Sequence, residues 1–142
     1  LAREERLFTE LQEKVYQRIA PENRRELNRY STGSRSDPNR YPQNWNRSFE
    51  LHPDSVRGGV LLVHGLTDSP YSMRATGVAL HAAGVHVVGL RVPGHGTAPS
   101  GLVNTTWQDM AAAVRLAVAD LDRRFPDHPL HLGPAWLIFP VP

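Results

Sequence analysis

The chain has 142 residues, enough for one domain with one modest core. Sixteen Lys or Arg nearly balance fourteen Asp or Glu, and the two signs are mixed along the chain. We therefore expect no nucleic-acid partner, because such a protein needs its basic residues clustered on one face. The absence of cysteine excludes disulfides, thiolate nucleophiles and cysteine-based zinc sites. No apolar stretch approaches the roughly twenty residues of a membrane-spanning helix, so no transmembrane segment is predicted. Because the first residue is Leu1 rather than Met, an upstream signal or anchor stays open and no compartment is assigned.

The first predicted element is an amphipathic helix over residues 1–20, closed by Pro21. Its polar face mixes acidic and basic residues, which favours packing on the domain over lying on a membrane surface. The apolar residues that define it recur at helical spacing and are Leu7, Phe8, Leu11, Val15 and Ile19.

Residues 21–57 are rich in Asn, Arg, Ser and Pro, which is typical of a long irregular connection. Tyr41, Trp45 and Phe49 fall four residues apart within it. They indicate either a short helix or a set of aromatic anchors that pin the segment down. Anchors that hide apolar surface are a commoner role for such residues than ligand stacking.

Residues 58–132 predict a strand, helix, strand, helix, strand order, which indicates the α/β class with a parallel sheet. The predicted strands are 60–63, 85–90 and 130–132, and we expect 60–63 in the middle of a sheet of about three strands. The short aliphatic run over 60–63 is typical of a strand buried on both faces.

Both connecting helices have recognisable ends. The first is predicted between Pro70 and Gly84, with Asp68 or Ser69 as its cap. The second is predicted to open with a capping box in which Thr105 pairs with Gln108. Its predicted buried face consists of Trp107, Met110, Ala111, Val114, Val118, Leu121 and Phe125.

In an open parallel sheet, chemistry collects beyond the carboxyl ends of the strands. The loop after the first strand reads HGLTDSP over residues 64–70, and the loop after the second reads RVPGHG over residues 91–96. Gly65 lets the backbone turn sharply, so the amide of Leu66 can point into the space above the sheet. An amide in that position could bind an oxyanion.

These segments carry a family resemblance. VLLVHGLTDSPYSMR and VVGLRVPGHGTAPS resemble the α/β-hydrolase superfamily, in its monoacylglycerol-lipase-like, carboxylesterase-like and serine-aminopeptidase-like branches. The resemblance covers residues 57–132. It implies the N-terminal part of an α/β-hydrolase fold and, in a full-length relative, a small-molecule ester or amide substrate.

The resemblance also implies residue roles. The Leu66 backbone amide would be one of two oxyanion-hole donors. His64 would hold its loop by hydrogen bonds rather than act as the base. Thr67, Asp68 and Ser69 would line the entrance or cap the next helix. The neighbouring loop would be shaped by Gly94, His95 and Gly96.

The superfamily's nucleophile should follow the third strand in a G-x-S-x-G turn. The sequence instead reads GPAWLIFPVP over residues 133–142, and no G-x-S-x-G occurs in it. We therefore interpret 133–142 as an aberrant or truncated tail and expect the nucleophile, acid and catalytic His to be absent. The missing partner would be the C-terminal half of the domain, and this chain alone would be inactive.

Other site chemistries are less favoured. No His pair at i, i+4 with a Glu marks a metal site, and His64 and His95, which leave neighbouring strands, are interpreted as loop-structuring. Gly94-x-Gly96 lacks the third glycine of a dinucleotide fingerprint, so no cofactor is expected. Ser69, Ser72 and Ser100 are read as capping or turn residues. The alternative function is a non-catalytic binding or interaction module on a degenerate fold.

Overall fold

The computed structural model describes residues 2–18, 20, 37, 40–97 and 99–134. Within them, no helix is long and apolar enough to cross a bilayer. The predicted tail beyond residue 134 and most of the connection over 21–39 lie outside the described residues. The elements are, in chain order, α1 (Ala2–Lys14), β1 (Phe49–Leu51), β2 (Gly58–Val63), α2 (Arg74–Ala82), β3 (Val85–Leu90), α3 (Trp107–Arg124) and β4 (Leu130–Pro134).

The strands form one sheet in the order β1-β3-β2-β4. β2 pairs in parallel with both β3 and β4, with Val60 opposite Val87 on one side and Leu61 opposite Leu132 on the other. The predicted parallel sheet, with the 60–63 strand between its two partners, is confirmed. Parallel pairing brings the carboxyl ends of β2, β3 and β4 to the same edge.

β1 was not predicted. Phe49 to Leu51 pair antiparallel with β3, and Phe49 lies opposite Gly89. The prediction of an irregular connection is therefore wrong at these residues, and the described sheet has four strands rather than three. Three residues are too few to show an alternating pattern, and this strand is stabilised by its pairing with β3 and by burial of the Phe49 ring. Trp45 packs edge-on against that ring at 5.0 Å between centroids, as the anchor interpretation of this segment requires.

The two central strands, β2 and β3, are buried on both faces. Side chains alternate along each strand, so Val60 and Leu62 lie in the core beneath α2 with Phe49, Met73, Val85 and Val87. The opposite face carries Leu61, and at Gly59 the nearest side chains include Leu121 and Phe125. α2 and α3 therefore cover different faces. Right-handed crossovers require this, because the connections from β2 to β3 and from β3 to β4 run in opposite directions across the sheet.

α1 ends at Lys14 and is followed by a 3-10 helix at Tyr16–Arg18, so the α-helix is shorter than predicted. Phe8 is buried on the domain. The guanidinium groups of Arg47 and Arg91 lie 5.0 and 5.6 Å from its ring centroid. The expectation that this helix packs on the domain is confirmed.

The predicted start of α3 is wrong by one residue. Thr106, not Thr105, is the N-cap, and it exchanges hydrogen bonds with Asp109 rather than Gln108. The Thr105 hydroxyl is already engaged, donating to the Gly101 carbonyl at 2.8 Å. Trp107 was predicted to be buried but is 71 % exposed at the first residue of α3.

Candidate functional site

The loops that follow β2 and β3 meet at the carboxyl edge of the sheet. The His64 and His95 rings, one from each loop, lie 5.1 Å apart between centroids. Both are buried. The two loops thus bring these histidines together, and each ring is hydrogen-bonded to the opposite loop.

His64 joins the two loops through both ring nitrogens. Its Nε2 lies 3.1 Å from the backbone nitrogen of Val92 and accepts that N–H. The ring proton is therefore on Nδ1, which donates to the Gly65 carbonyl at 2.9 Å. With Nε2 occupied by a backbone donor, this ring has no free nitrogen with which to remove a proton from a nucleophile.

The Gly65–Leu66 peptide is held in a fixed orientation. Its carbonyl oxygen, on Gly65, accepts from His64 Nδ1 at 2.9 Å and from the Asp68 amide at 3.0 Å. Because a trans peptide is planar, its N–H points opposite to its carbonyl. The Leu66 amide is thus directed away from both donors, and within the described residues no acceptor lies against it. This amide is available to a ligand.

His95 forms the second link between the loops. Its Nε2 contacts the Leu66 carbonyl at 2.5 Å and its Nδ1 contacts the Pro93 carbonyl at 2.9 Å. Both partners are acceptors, so a neutral ring can donate to one at a time and a protonated ring to both. His95 therefore fixes the carbonyl on the other side of Leu66.

Two glycines allow the second loop to approach its neighbours. Gly94 and Gly96 have φ values of +78° and +68°, a region that favours glycine. A Cβ on Gly96 would lie 2.4 Å from the Asn46 carbonyl oxygen, and one on Gly94 would lie 2.6 Å from Thr105 Oγ1. The loop-shaping role expected for them remains a prediction, with this geometry as its basis.

The other predicted site residues are split between surface and interior. Thr67 is exposed, and the Asp68 carboxylate accepts the Ser69 amide at 2.8 Å. Ser69 occupies the N-cap of a 3-10 helix, Pro70–Met73, that leads into α2. Its hydroxyl does not cap the helix but donates to Asn46 Oδ1 at 2.7 Å, and the side chain is buried. Ser69 is therefore a connection to the segment before β1 and lacks the exposure of a nucleophile.

A cavity of about 240 Å³ lies between these loops and α3. It is lined by residues of both loops and by three apolar residues of α3. The lining is Val63, His64, Gly65, Leu66, Val92, His95, Met110, Ala111 and Val114. The space can hold an apolar ligand group next to the Leu66 backbone.

Sequence reasoning missed the residues that attach the N-terminal region to this site. Asn46 contacts Ser69, and Ser48 and Glu4 contact Arg91 at the start of the second loop. These contacts join residues 23 to 87 positions apart, and no local pattern signals them. Across the described residues, no group of three or more His, Asp or Glu side chains could hold a metal ion.

Comparison with known proteins finds similarity to lipolytic enzymes. No family model matches the chain. It is 42 % identical over 66 residues to a thermostable monoacylglycerol lipase of Bacillus sp. (strain H-257), a match that covers 46 % of this chain and 26 % of the lipase. A solved structure from work on LipS and LipT, two metagenome-derived lipolytic enzymes, aligns with a TM-score of 0.57 and 31 % identity, covering 63 % of this chain and 35 % of that one. The predicted resemblance to the α/β-hydrolases and the α/β fold class are thereby confirmed.

Proposed function

We propose that this chain, which resembles the N-terminal portion of a lipolytic α/β-hydrolase, supplies the oxyanion-binding loop of an acyl hydrolase. The observation that carries the proposal is the fixed Gly65–Leu66 peptide, whose N–H has no acceptor among the described residues. Acyl transfer passes through a tetrahedral intermediate with a negatively charged oxygen. A donor already oriented toward that oxygen stabilises it without reorganisation during the reaction.

The substrate class we propose is a small carboxylic ester, with an amide as the related case. The carbonyl oxygen would accept the Leu66 N–H, and an apolar substituent would enter the cavity against Met110 and Val114. The two relatives, a monoacylglycerol lipase and a structure from work on lipolytic enzymes, support an ester.

His64 and His95 serve in this proposal to position the loop and not to transfer protons. Their ring nitrogens are engaged with backbone groups, and hydrogen bonds to both neighbouring carbonyls of Leu66 keep its amide in place. Donation to the Gly65 carbonyl also polarises that peptide, which makes its N–H a stronger donor.

The nucleophile, its acid partner and the catalytic base are proposed to come from polypeptide beyond these 142 residues. The sequence contains no G-x-S-x-G turn, and Ser69 is buried in a structural hydrogen bond. The chain spans about a quarter of the matched lipase and about a third of the matched structure. We accordingly propose that the chain alone does not turn over ester.

The decisive experiment is a chimera in which residues 58–134 replace the corresponding segment of the monoacylglycerol lipase. Replacing Leu66 in it by its α-hydroxy acid analogue removes the amide N–H and leaves the side chain. We expect kcat to fall by about 10²- to 10³-fold, the cost of one oxyanion donor.

Leu66→Ala in the same chimera is the matched control, because it keeps the amide and removes the exposed side chain. We expect it to retain kcat. Full kcat in the α-hydroxy acid variant would show that Leu66 is not an oxyanion donor. A folded but inactive unmodified chimera would favour the non-catalytic binding module instead.

A further inference from the structure

We infer that contacts between α1 and the second loop hold the candidate site in place. In these contacts Glu4 and Arg91 are positioning residues for the Leu66 amide. The inference rests on the proposed function and adds a means of regulating it. We call the set of contacts that joins Glu4, Ser48, Arg91 and His95 the latch.

The Glu4 carboxylate is the centre of the latch. One oxygen, Oε1, accepts from the Ser48 amide at 3.0 Å, the Ser48 hydroxyl at 3.3 Å and Arg91 Nε at 2.5 Å. The side chains of Glu4 and Arg91 are each only 13 % exposed. A charge pair so far removed from water is costly to break from one side, because the remaining charge is left without compensation.

Arg91 links the Glu4 carboxylate to the second loop. Its backbone N–H donates to the Ser48 hydroxyl at 2.9 Å, and its NH1 donates to the His95 carbonyl at 3.0 Å. One guanidinium therefore holds α1 through Nε and the far end of the second loop through NH1. A lysine in this place could form only one of these links at a time.

Hydrogen bonds from both ends of the second loop connect it to the peptide units around Leu66. From one end of the loop, the Val92 amide binds His64, which holds the Gly65 carbonyl. From the other end, the His95 ring binds the Leu66 carbonyl. The two routes fix the peptide units on either side of Leu66, so a displaced Arg91 would loosen the direction of the Leu66 N–H.

The test uses the whole 142-residue chain and reads the site by NMR. In Glu4→Gln, we expect the Leu66 amide resonance to move and the Val92 and Asp68 amides to exchange at least about tenfold faster, because a charge-assisted hydrogen bond is lost. The central strand supplies the internal reference, through the Leu61 amide. Glu10→Gln is the matched control, since Glu10 lies on the same helix and, among the described residues, pairs with exposed Lys14 alone.

A second variant, Arg91→Lys, keeps the positive charge but removes the guanidinium that binds Glu4 and the His95 carbonyl at the same time. It should move the same Leu66 and Val92 signals while the Ser48 amide, still bound by Glu4, stays in place. Unchanged site signals in Glu4→Gln would overturn the inference. So would an equal shift of the Leu61 amide resonance, because α1 would then act on the whole fold and not on the site. No turnover is measured, so these outcomes are independent of whether the chimera hydrolyses ester.

Discussion

The ring of Phe49 lies over Gly89 of the adjacent strand, so closely that a Cβ on Gly89 would stand 2.2 Å from Cε1 of the ring. The same ring leaves only 3.0 Å for a Cβ on Gly77 of α2. Phe49 therefore fills a space that exists because two glycines face it. This packing, together with antiparallel pairing, keeps β1 on the sheet.

Gly89→Ala should destabilise the fold by about 1–3 kcal/mol, because the added methyl group overpacks a filled site. Denaturant unfolding of the purified chain measures this. Gly65→Ala is the control, since a Cβ there would meet nothing within 4 Å. In a Phe49→Ala background the cost of Gly89→Ala should nearly vanish, and full additivity would contradict the proposed cause.

Leu121→Ala should cost about 2–5 kcal/mol, because Leu121 is only 1 % exposed and its loss leaves a cavity under α3. Trp107→Ala, on the same helix but 71 % exposed, should change the free energy of unfolding by less than about 0.5 kcal/mol. The two variants can be compared in one set of urea titrations. Equal losses would mean that Trp107 is buried by a contact outside the described residues.

Buried His86 connects three elements. Its Nε2 lies 3.0 Å from the Glu50 carboxylate and its Nδ1 lies 2.9 Å from His52 Nδ1, while Arg124 contacts Glu50 from α3. Burial lowers the pKa of His86, with Arg124 and His52 acting in the same direction and Glu50 opposing them. The folded state therefore prefers neutral His86, with Nδ1 accepting from His52.

Acid should weaken the fold through this group. A lowered folded pKa means that the contribution of His86 is fully present above the unfolded value of about 6.5 and is lost as the pH falls below that value and through the lowered folded pKa. The stability difference between wild type and His86→Gln should shrink between about pH 8 and about pH 5. His131→Gln, at an exposed position on β4, is the matched control. A constant difference would contradict this assignment.

The chain alone should not hydrolyse p-nitrophenyl esters above the buffer rate, and a fluorophosphonate probe should label none of its serines. An activated nucleophile needs a base within about 2.6–3.2 Å, and Ser69 instead contacts the Asn46 side chain. Intact-mass spectrometry after probe treatment provides the measurement. Stoichiometric labelling that disappears in His64→Gln or His95→Gln would reveal catalytic groups that the present proposal places elsewhere.

Local patterns predicted the parts of this fold that depend on neighbours in sequence. The aliphatic runs of β2 and β3 and the periodicity of α3 are such parts, and the sheet order followed from the crossovers. β1 and the exposure of Trp107 could not be predicted, because both depend on how segments distant in sequence pack together. The cap of α3 was misassigned because Thr105 and Thr106 both precede a plausible partner.

The candidate site was likewise predicted only in part. Its loops were predicted at the carboxyl ends of β2 and β3, since that follows from parallel topology. The hydrogen-bond partners of the His64 and His95 ring nitrogens were not predicted, because they depend on differences of tenths of an ångström in the distances between separate loops. Glu4 looked like one of several surface acids on a helix, and only its position against Arg91 distinguishes it.

The Glu4–Arg91 contact also has a consequence for the order of folding. It joins residues 87 positions apart, so the chain between them must be organised before the contact can offset the entropy of closing that loop. We expect it to form after the transition state, with a φ-value near zero. Glu4→Gln should then leave the refolding rate unchanged and accelerate unfolding, which makes α1 a determinant of how long the native state lasts rather than how fast it is reached.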